Sequence, residues 1–124
     1  MGAVMLSEYL AGAQAKTFRY GRHDCALFAA RWVKACTGRD LTLGIRHASL
    51  REGIEQLRAA GFDDHIALAA AQLETRETPL LARKGDIAVI HRSLGIVTGE
   101  RVALLERKGL VYFPITAASK AFVV

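Results

Sequence analysis

Residues 24–38 read DCALFAARWVKACTG. Within Cys25–Cys36 only two side chains are charged, so a helix over this stretch is apolar on nearly every side and must be buried. Gly38 follows, at the position where a left-handed residue commonly ends a helix. Phe28 and Trp32 stand four residues apart and therefore share one face. The stretch predicts a central core helix that packs Phe28 and Trp32 against a sheet.

The residues around this helix predict three further helices. The signals are apolar residues at helical spacing, a capping box of Ser49 and Glu52, and a pair of aspartates before the last helix. The predicted helices cover residues 6–15, residues 49–61 and a segment that runs from Asp63 or Asp64 to Leu73.

After Gly85 the helical period gives way to short β-type runs separated by turn residues. The runs cover residues 87–90, 94–97, 102–105 and 110–113, which predict an antiparallel meander of about four strands. Helices first and an antiparallel sheet last predict an α+β fold.

Composition limits the classes of protein to consider. A chain of 124 residues, at about 150 residues per domain, predicts one domain over residues 1–124. No apolar run approaches the 18 or so residues that a membrane span needs, and residues 1–6 lack the basic start of a secretory signal. We therefore expect synthesis in the cytoplasm and no membrane partner. The net charge of +5 permits contact with nucleic acid or an anionic cell wall, but its even distribution is typical of ordinary solvated surface.

The two cysteines have different expected roles. Cys25 opens the core helix, where the helix dipole favours thiolate and lowers a cysteine pKa, as in cysteine hydrolases. The alternative is a small buried apolar residue. Cys36 lies near the end of the helix and is interpreted as a core residue. The two lie roughly 16 Å apart on the helix and cannot pair, which suits a reducing compartment.

Four short stretches of the chain follow one another in an order that also occurs in a known family of proteins. They are Phe18-Arg19-Tyr20-Gly21, Asp24-Cys25-Ala26-Leu27-Phe28, Gly85-Asp86-Ile87-Ala88-Val89 and Ser93-Leu94-Gly95-Ile96. Together they resemble the motifs of the papain-like NlpC-type cysteine peptidases, which cut cell-wall peptides. The resemblance spans roughly residues 5 to 115. It implies a papain-like NlpC-type fold with Cys25 as nucleophile and with Tyr20 and Asp24 in the surrounding site.

A narrower pattern points to a subgroup. It consists of Gly21-Arg22-x-Asp24-Cys25-Ala26-Leu27-Phe28, Thr37-Gly38-Arg39-Asp40 and a closing Gly109-Leu110 with Pro114. This pattern resembles a family of small phage and prophage proteins that are typically encoded among tail-assembly genes. The resemblance implies other tail or tail-tip proteins as partners, with peptidoglycan as a further one, and a final location in the virion tail.

Three departures from the peptidase pattern affect mechanism. The first loop aromatic is Phe18, which has no hydroxyl to support an oxyanion, and Ala26-Leu27 replaces the usual Ser-Gly after the nucleophile. The base histidine is replaced by Ser93. Serine does not accept the thiol proton near neutral pH, so the usual means of activating Cys25 is missing.

Another histidine is a possible substitute for this base. His91 lies two residues before Ser93 and reaches Cys25 if the hairpin is short; the alternative is a surface histidine in a turn. Of the remaining histidines, His23 is too close to Cys25 in sequence to reach around the helix start easily, and His47 and His65 are interpreted as loop or cap residues. Their spacing matches no zinc motif, so we predict neither a metal nor a cofactor.

Three functions remain open from the sequence. The first is a tail-associated structural or assembly protein with reduced or lost peptidase chemistry. The second is an active peptidase or amidase that cleaves peptidoglycan peptides through Cys25, with His91 as an unusual base. The third, a small nucleic-acid-binding module, rests on charge alone, so we expect no nucleic-acid partner.

Overall fold

The computed structural model describes residues 3–43 and 49–124. The helices within these residues are α1 (Ala3–Ala15), α2 (Cys25–Thr37), α3 (Leu50–Ala59) and α4 (His65–Gln72), with short 3-10 turns at Pro79–Leu81 and Ile115–Ala117. The strands are β1 (Ile87–Ile90), β2 (Ser93–Val97), β3 (Arg101–Glu106), β4 (Gly109–Pro114) and β5 (Ala118–Phe122). The α+β prediction is confirmed.

The sheet differs from the predicted meander at one edge. Its strand order is β4-β3-β2-β1-β5, and every neighbouring pair is antiparallel. The prediction of four strands missed β5, which pairs with β1 through Ile87 and Phe122. Consequently β1 is an interior strand of the sheet, whereas in the predicted meander it would be an edge strand.

Helix boundaries follow the capping residues. The Asp24 carboxylate accepts a hydrogen bond from the Leu27 N–H at 2.9 Å and thereby starts α2. Gly38 ends α2 in the left-handed region, with φ +79°, and donates its N–H to Lys34. Of the two aspartates proposed before α4, Asp64 is the cap. These signals are local, which explains why the sequence located them.

The core helix packs as predicted. Phe28 is fully buried and Trp32 is 2% exposed, in one cluster with Ile87, Val89 and Ile96 of the sheet. Because side chains alternate along a strand, the residues between these contribute to a second cluster on the opposite face of the sheet. Helix α2 therefore lies on one face only.

Asp86 joins three segments next to the core helix. Its side chain is 4% exposed and accepts hydrogen bonds from Arg76 Nε at 2.9 Å, from the Arg83 N–H at 2.8 Å and from the Val124 N–H at 3.2 Å. The preceding residue, Gly85, accepts a hydrogen bond from the Trp32 indole at 2.7 Å. The Gly-Asp pair thus acts as an anchor between the sheet, α2 and residue 124.

Contacts distant in sequence close the fold. The Gln14 side chain at the end of α1 accepts a hydrogen bond from the Leu110 N–H on β4 at 2.7 Å. Gly95 on β2 lies so close to β3 that an added Cβ would stand 2.6 Å from the Ala103 carbonyl oxygen.

No helix among the described residues has the length and apolar character to cross a membrane.

Candidate functional site

Cys25 is the first residue of α2 and is partly buried. Burial raises the pKa of its thiol, and the adjacent Asp24 carboxylate raises it further. Hydrogen bonds from Ser93 and from backbone N–H groups favour the thiolate, but burial and the carboxylate outweigh them. The pKa of the Cys25 thiol therefore lies above its ordinary value, contrary to the lowering expected at a helix start.

Ser93 is brought to the nucleophile candidate by the sheet. It is the first residue of β2, and its hydroxyl lies near enough to Cys25 to lower the pKa of the thiol, although by less than burial and Asp24 raise it. A hydroxyl can donate to or accept from a thiol, but its own pKa is far too high for it to hold the thiol proton near neutral pH. The residue that the resemblance equates with the base therefore lies near Cys25 but cannot act as a base.

The His91 hypothesis does not match the observed geometry. His91 occupies the two-residue turn between β1 and β2 with φ +56° and is exposed. Its ring stands edge-on to Phe113, with centroids 5.8 Å apart, and Phe113 packs on the cluster opposite α2. The His91 ring therefore contacts the side of the sheet opposite α2.

Of the other histidines, His65 shares a cavity with Cys25. The cavity encloses about 100 Å³, and its other walls come from Tyr20, Asp24 and apolar side chains of α2, α3 and α4 such as Leu27, Ile54 and Leu68. His65 is the first residue of α4, and the sequence interpretation as a helix-cap residue gave no reason to connect it with Cys25. Only the packing of α4 beside the start of α2 brings the two to one cavity, and no local pattern encodes that packing.

The remaining histidines have other positions. His23 is 7% exposed, and its Nε2 lies 2.9 Å from the Ala13 carbonyl oxygen, which fixes the loop before α2 to the end of α1. His47 lies outside the described residues. Within the ranges 3–43 and 49–124, no group of three or more histidine, cysteine or acidic side chains could hold a metal ion.

Tyr20 and Asp24 shape the loop in front of the thiol. The two Asp24 oxygens are committed to backbone N–H groups: one accepts from Leu27, and the other accepts from Gly21 at 2.8 Å. The Tyr20 ring contacts Phe18 edge-on at 5.0 Å. Asp24 is therefore a positioning residue for the helix start, and Tyr20 forms one wall of the cavity.

Cys36, by contrast, lies outside this site. It is partly buried and packs against the edge of the main cluster, where burial raises the pKa of its thiol. Both cysteines are free thiols, as their expected separation required. The assignment of Cys36 to the core is thus confirmed for its packing, although it is only partly covered.

Comparison with known proteins gives a family match. A family model described as a domain of unknown function, DUF6950, matches residues 3–124. No curated protein and no solved structure matches the chain.

Proposed function

The chain belongs to the DUF6950 family, and we propose that it is a phage or prophage tail-associated protein on a papain-like NlpC-type fold whose peptidase chemistry is reduced or lost. The observation that carries this proposal is that a serine, Ser93, lies near the Cys25 thiol, where a working enzyme of this kind needs an imidazole. General-base assistance is commonly worth about 10²–10⁴-fold in rate, so its loss is enough to make turnover negligible.

The order of elements supports the papain-like part of the proposal. A buried helix that begins with a cysteine precedes an antiparallel sheet, and β2 carries Ser93 to that cysteine. Two further positions support it, since Cys25 stands at a helix start and Asp86 just before a strand. Tail association is supported by the narrower motif of residues 21–28 and by the closing Gly109-Leu110 with Pro114. The proposed partners are accordingly other tail or tail-tip proteins, with incorporation into the virion tail.

A second candidate function is favoured by His65. An imidazole on the cavity of Cys25 is the group that a cysteine peptidase or amidase requires. In that mechanism His65 takes the thiol proton and the thiolate attacks the carbonyl carbon of a peptidoglycan peptide bond. The imidazolium then gives the proton to the leaving amine, and water hydrolyses the thioester. His65 replaces His91 as the base in this version because His91 lies against Phe113.

The test is release of soluble peptides from purified peptidoglycan by the wild type and three variants. We expect no release by the wild type, by Cys25→Ala or by His65→Ala. Ser93→His places an imidazole at the thiol, and release that depends on Cys25 would then support a papain-like site that has lost its base. Turnover by the wild type that disappears in both Cys25→Ala and His65→Ala would instead establish the enzyme.

Tail assembly provides the second measurement. In a phage or prophage lacking the gene, the proposal expects Cys25→Ala to restore infectious particles as well as the wild type does. The charge-neutral exposed variant Gly12→Ala is the matched control for expression. Failure of both Cys25→Ala and Ser93→Ala to restore particles, with normal protein levels, would contradict a purely structural role.

A further inference from the structure

A second concavity lies beside the cavity of Cys25, and Tyr20 lines both. It is an open cleft of about 780 Å³, formed by the loop between α1 and α2 together with Arg31 of α2. Sites for small ligands typically measure roughly 300–1,000 Å³, so the cleft is large enough to hold a ligand. We call it the basic cleft because its charged side chains are Lys16, Arg19, Arg22 and Arg31.

These four side chains are exposed and uncompensated. None of them forms an ion pair with a residue in the described ranges 3–43 and 49–124. The acidic residue nearest in sequence, Asp24, is 2% exposed and directs its oxygens to backbone N–H groups. A fifth cation, Arg107 from the turn between β3 and β4, stands 5.8 Å above the Tyr20 ring. The cleft therefore presents a positive potential, which concave walls intensify.

Backbone hydrogen bonds hold the loop in place. The N–H groups of Arg22 and His23 both donate to the Arg19 carbonyl oxygen, at 3.0 and 2.7 Å, and the Arg19 N–H donates to His23 at 2.8 Å. Gly21 occupies the left-handed region at φ +81°, which closes the turn. Because main-chain groups form the turn, the arginine side chains remain available and a ligand meets an ordered loop.

We propose that the basic cleft binds an acidic, extended peptide segment of a partner protein. Three of its four lining cations are arginines, whose planar guanidinium groups match carboxylates in a two-pronged fashion. A concave cleft of this size accommodates an extended chain. The inference goes beyond the proposed function, since binding here requires neither Cys25 nor Ser93.

The aromatic residues favour a peptide over nucleic acid. Single-stranded nucleic acid binds through bases stacked on open aromatic faces. The Tyr20 ring already has Arg107 over one face and packs against Phe18 in a T-shaped arrangement. A DNA duplex is read by a helix or ribbon that enters its groove, whereas these cations line a hollow.

The test is fluorescence anisotropy with a labelled oligoglutamate peptide, against oligoglutamine and oligothymidylate of the same length. We expect Arg19→Gln/Arg22→Gln to weaken oligoglutamate binding by about tenfold or more. The matched control, Arg51→Gln/Arg58→Gln, removes the same charge from the exposed surface of α3 and should change the Kd less than about twofold. The Cys25→Ala variant should bind as the wild type does, which separates this result from the fate of the proposed function.

A second pair of substitutions, Lys16→Gln/Arg31→Gln, should weaken oligoglutamate binding in the same way from other parts of the cleft. Thermal unfolding of each variant shows whether the protein is still folded. Equal weakening by the cleft pairs and the α3 pair would overturn the proposal, because attraction would then follow net charge alone. Absence of oligoglutamate binding by the folded wild type would also overturn it. Tighter binding of oligothymidylate that the cleft pairs abolish would assign the cleft to nucleic acid instead.

Discussion

Replacing Asp86 with asparagine tests whether this residue anchors the fold. The substitution keeps the size of the side chain and removes its charge. It also exchanges one acceptor oxygen for an amide that donates, so one of the three donors from Arg76, Arg83 and Val124 loses its partner. The Arg76 guanidinium, only 21% exposed, loses the carboxylate that compensates it.

The size of the effect follows from burial. Removing one partner of a buried ion pair costs about 3–5 kcal/mol, and a hydrogen bond to a charged group contributes about 1.5–3 kcal/mol. Because Arg76 retains some contact with water, we expect the lower end, a loss of about 3 kcal/mol in the free energy of unfolding. A domain of ordinary stability, about 5–15 kcal/mol, still folds after this loss.

Urea unfolding followed by circular dichroism measures the change. The exposed Asp63→Asn is the matched control and should alter stability by less than about 0.5 kcal/mol. Arg76→Met/Asp86→Asn removes both charges, and its cost should fall short of the sum of the single variants by about 1–3 kcal/mol. A loss below about 1 kcal/mol for Asp86→Asn, or strict additivity in the cycle, would refute the anchoring argument.

Three further outcomes are expected. Gly95→Ala should lower the free energy of unfolding in urea by at least about 2 kcal/mol, because the added Cβ would stand 2.6 Å from a carbonyl oxygen of β3. Gly12→Ala, at a position with open space around it, should raise that free energy by about 0.5–1 kcal/mol. Equal effects of the two substitutions would contradict the close approach of β2 and β3 at Gly95. Iodoacetamide labelling, mapped by peptide mass, should modify Cys36 at least as fast as Cys25 near pH 7. Because burial raises the pKa of the Cys25 thiol, its labelling rate should rise with pH through a midpoint above that of an ordinary thiol. Faster labelling of Cys25 than of Cys36 near pH 7 would show an activated thiolate. Trp32→Ala should cost about 3–5 kcal/mol, and a loss under about 1 kcal/mol would mean that the indole is not packed in the core.

Local signals account for the parts of the fold that the sequence predicted. Asp24 and Gly38 mark the ends of α2 through their own caps, and the β-type runs in residues 87–113 mark four strands. Strand β5 has no run of β-type residues. Ser119 and Lys120 are exposed, and two of its other three residues are alanines. It is a strand because it pairs with β1, and the sequence near residue 120 does not encode that partner.

The candidate site also has parts that local sequence predicted and parts that depend on contacts between distant residues. Motif order led to Cys25 and Ser93, and the structure places Ser93 near enough to Cys25 to affect the pKa of its thiol. The proximity of His65 to Cys25 depends on how α4 packs, and the orientation of His91 depends on a left-handed turn residue. The basic cleft was missed because its cations are scattered among residues 16–31 and gather only when the loop folds over α2.

The position of β5 has a consequence for synthesis on the ribosome. Strands β1 to β4 emerge first and can form hairpins, but β1 then presents a free edge with the uncharged sequence IAVI. An unpaired edge of this kind is a template for aggregation, and it stays uncovered until residues 118–122, which follow β4, have been translated and have paired with β1. A nascent chain that stalls after β4 is therefore a client for chaperones or proteases, and charged Lys120 on the last strand supplies the gatekeeper that β1 lacks.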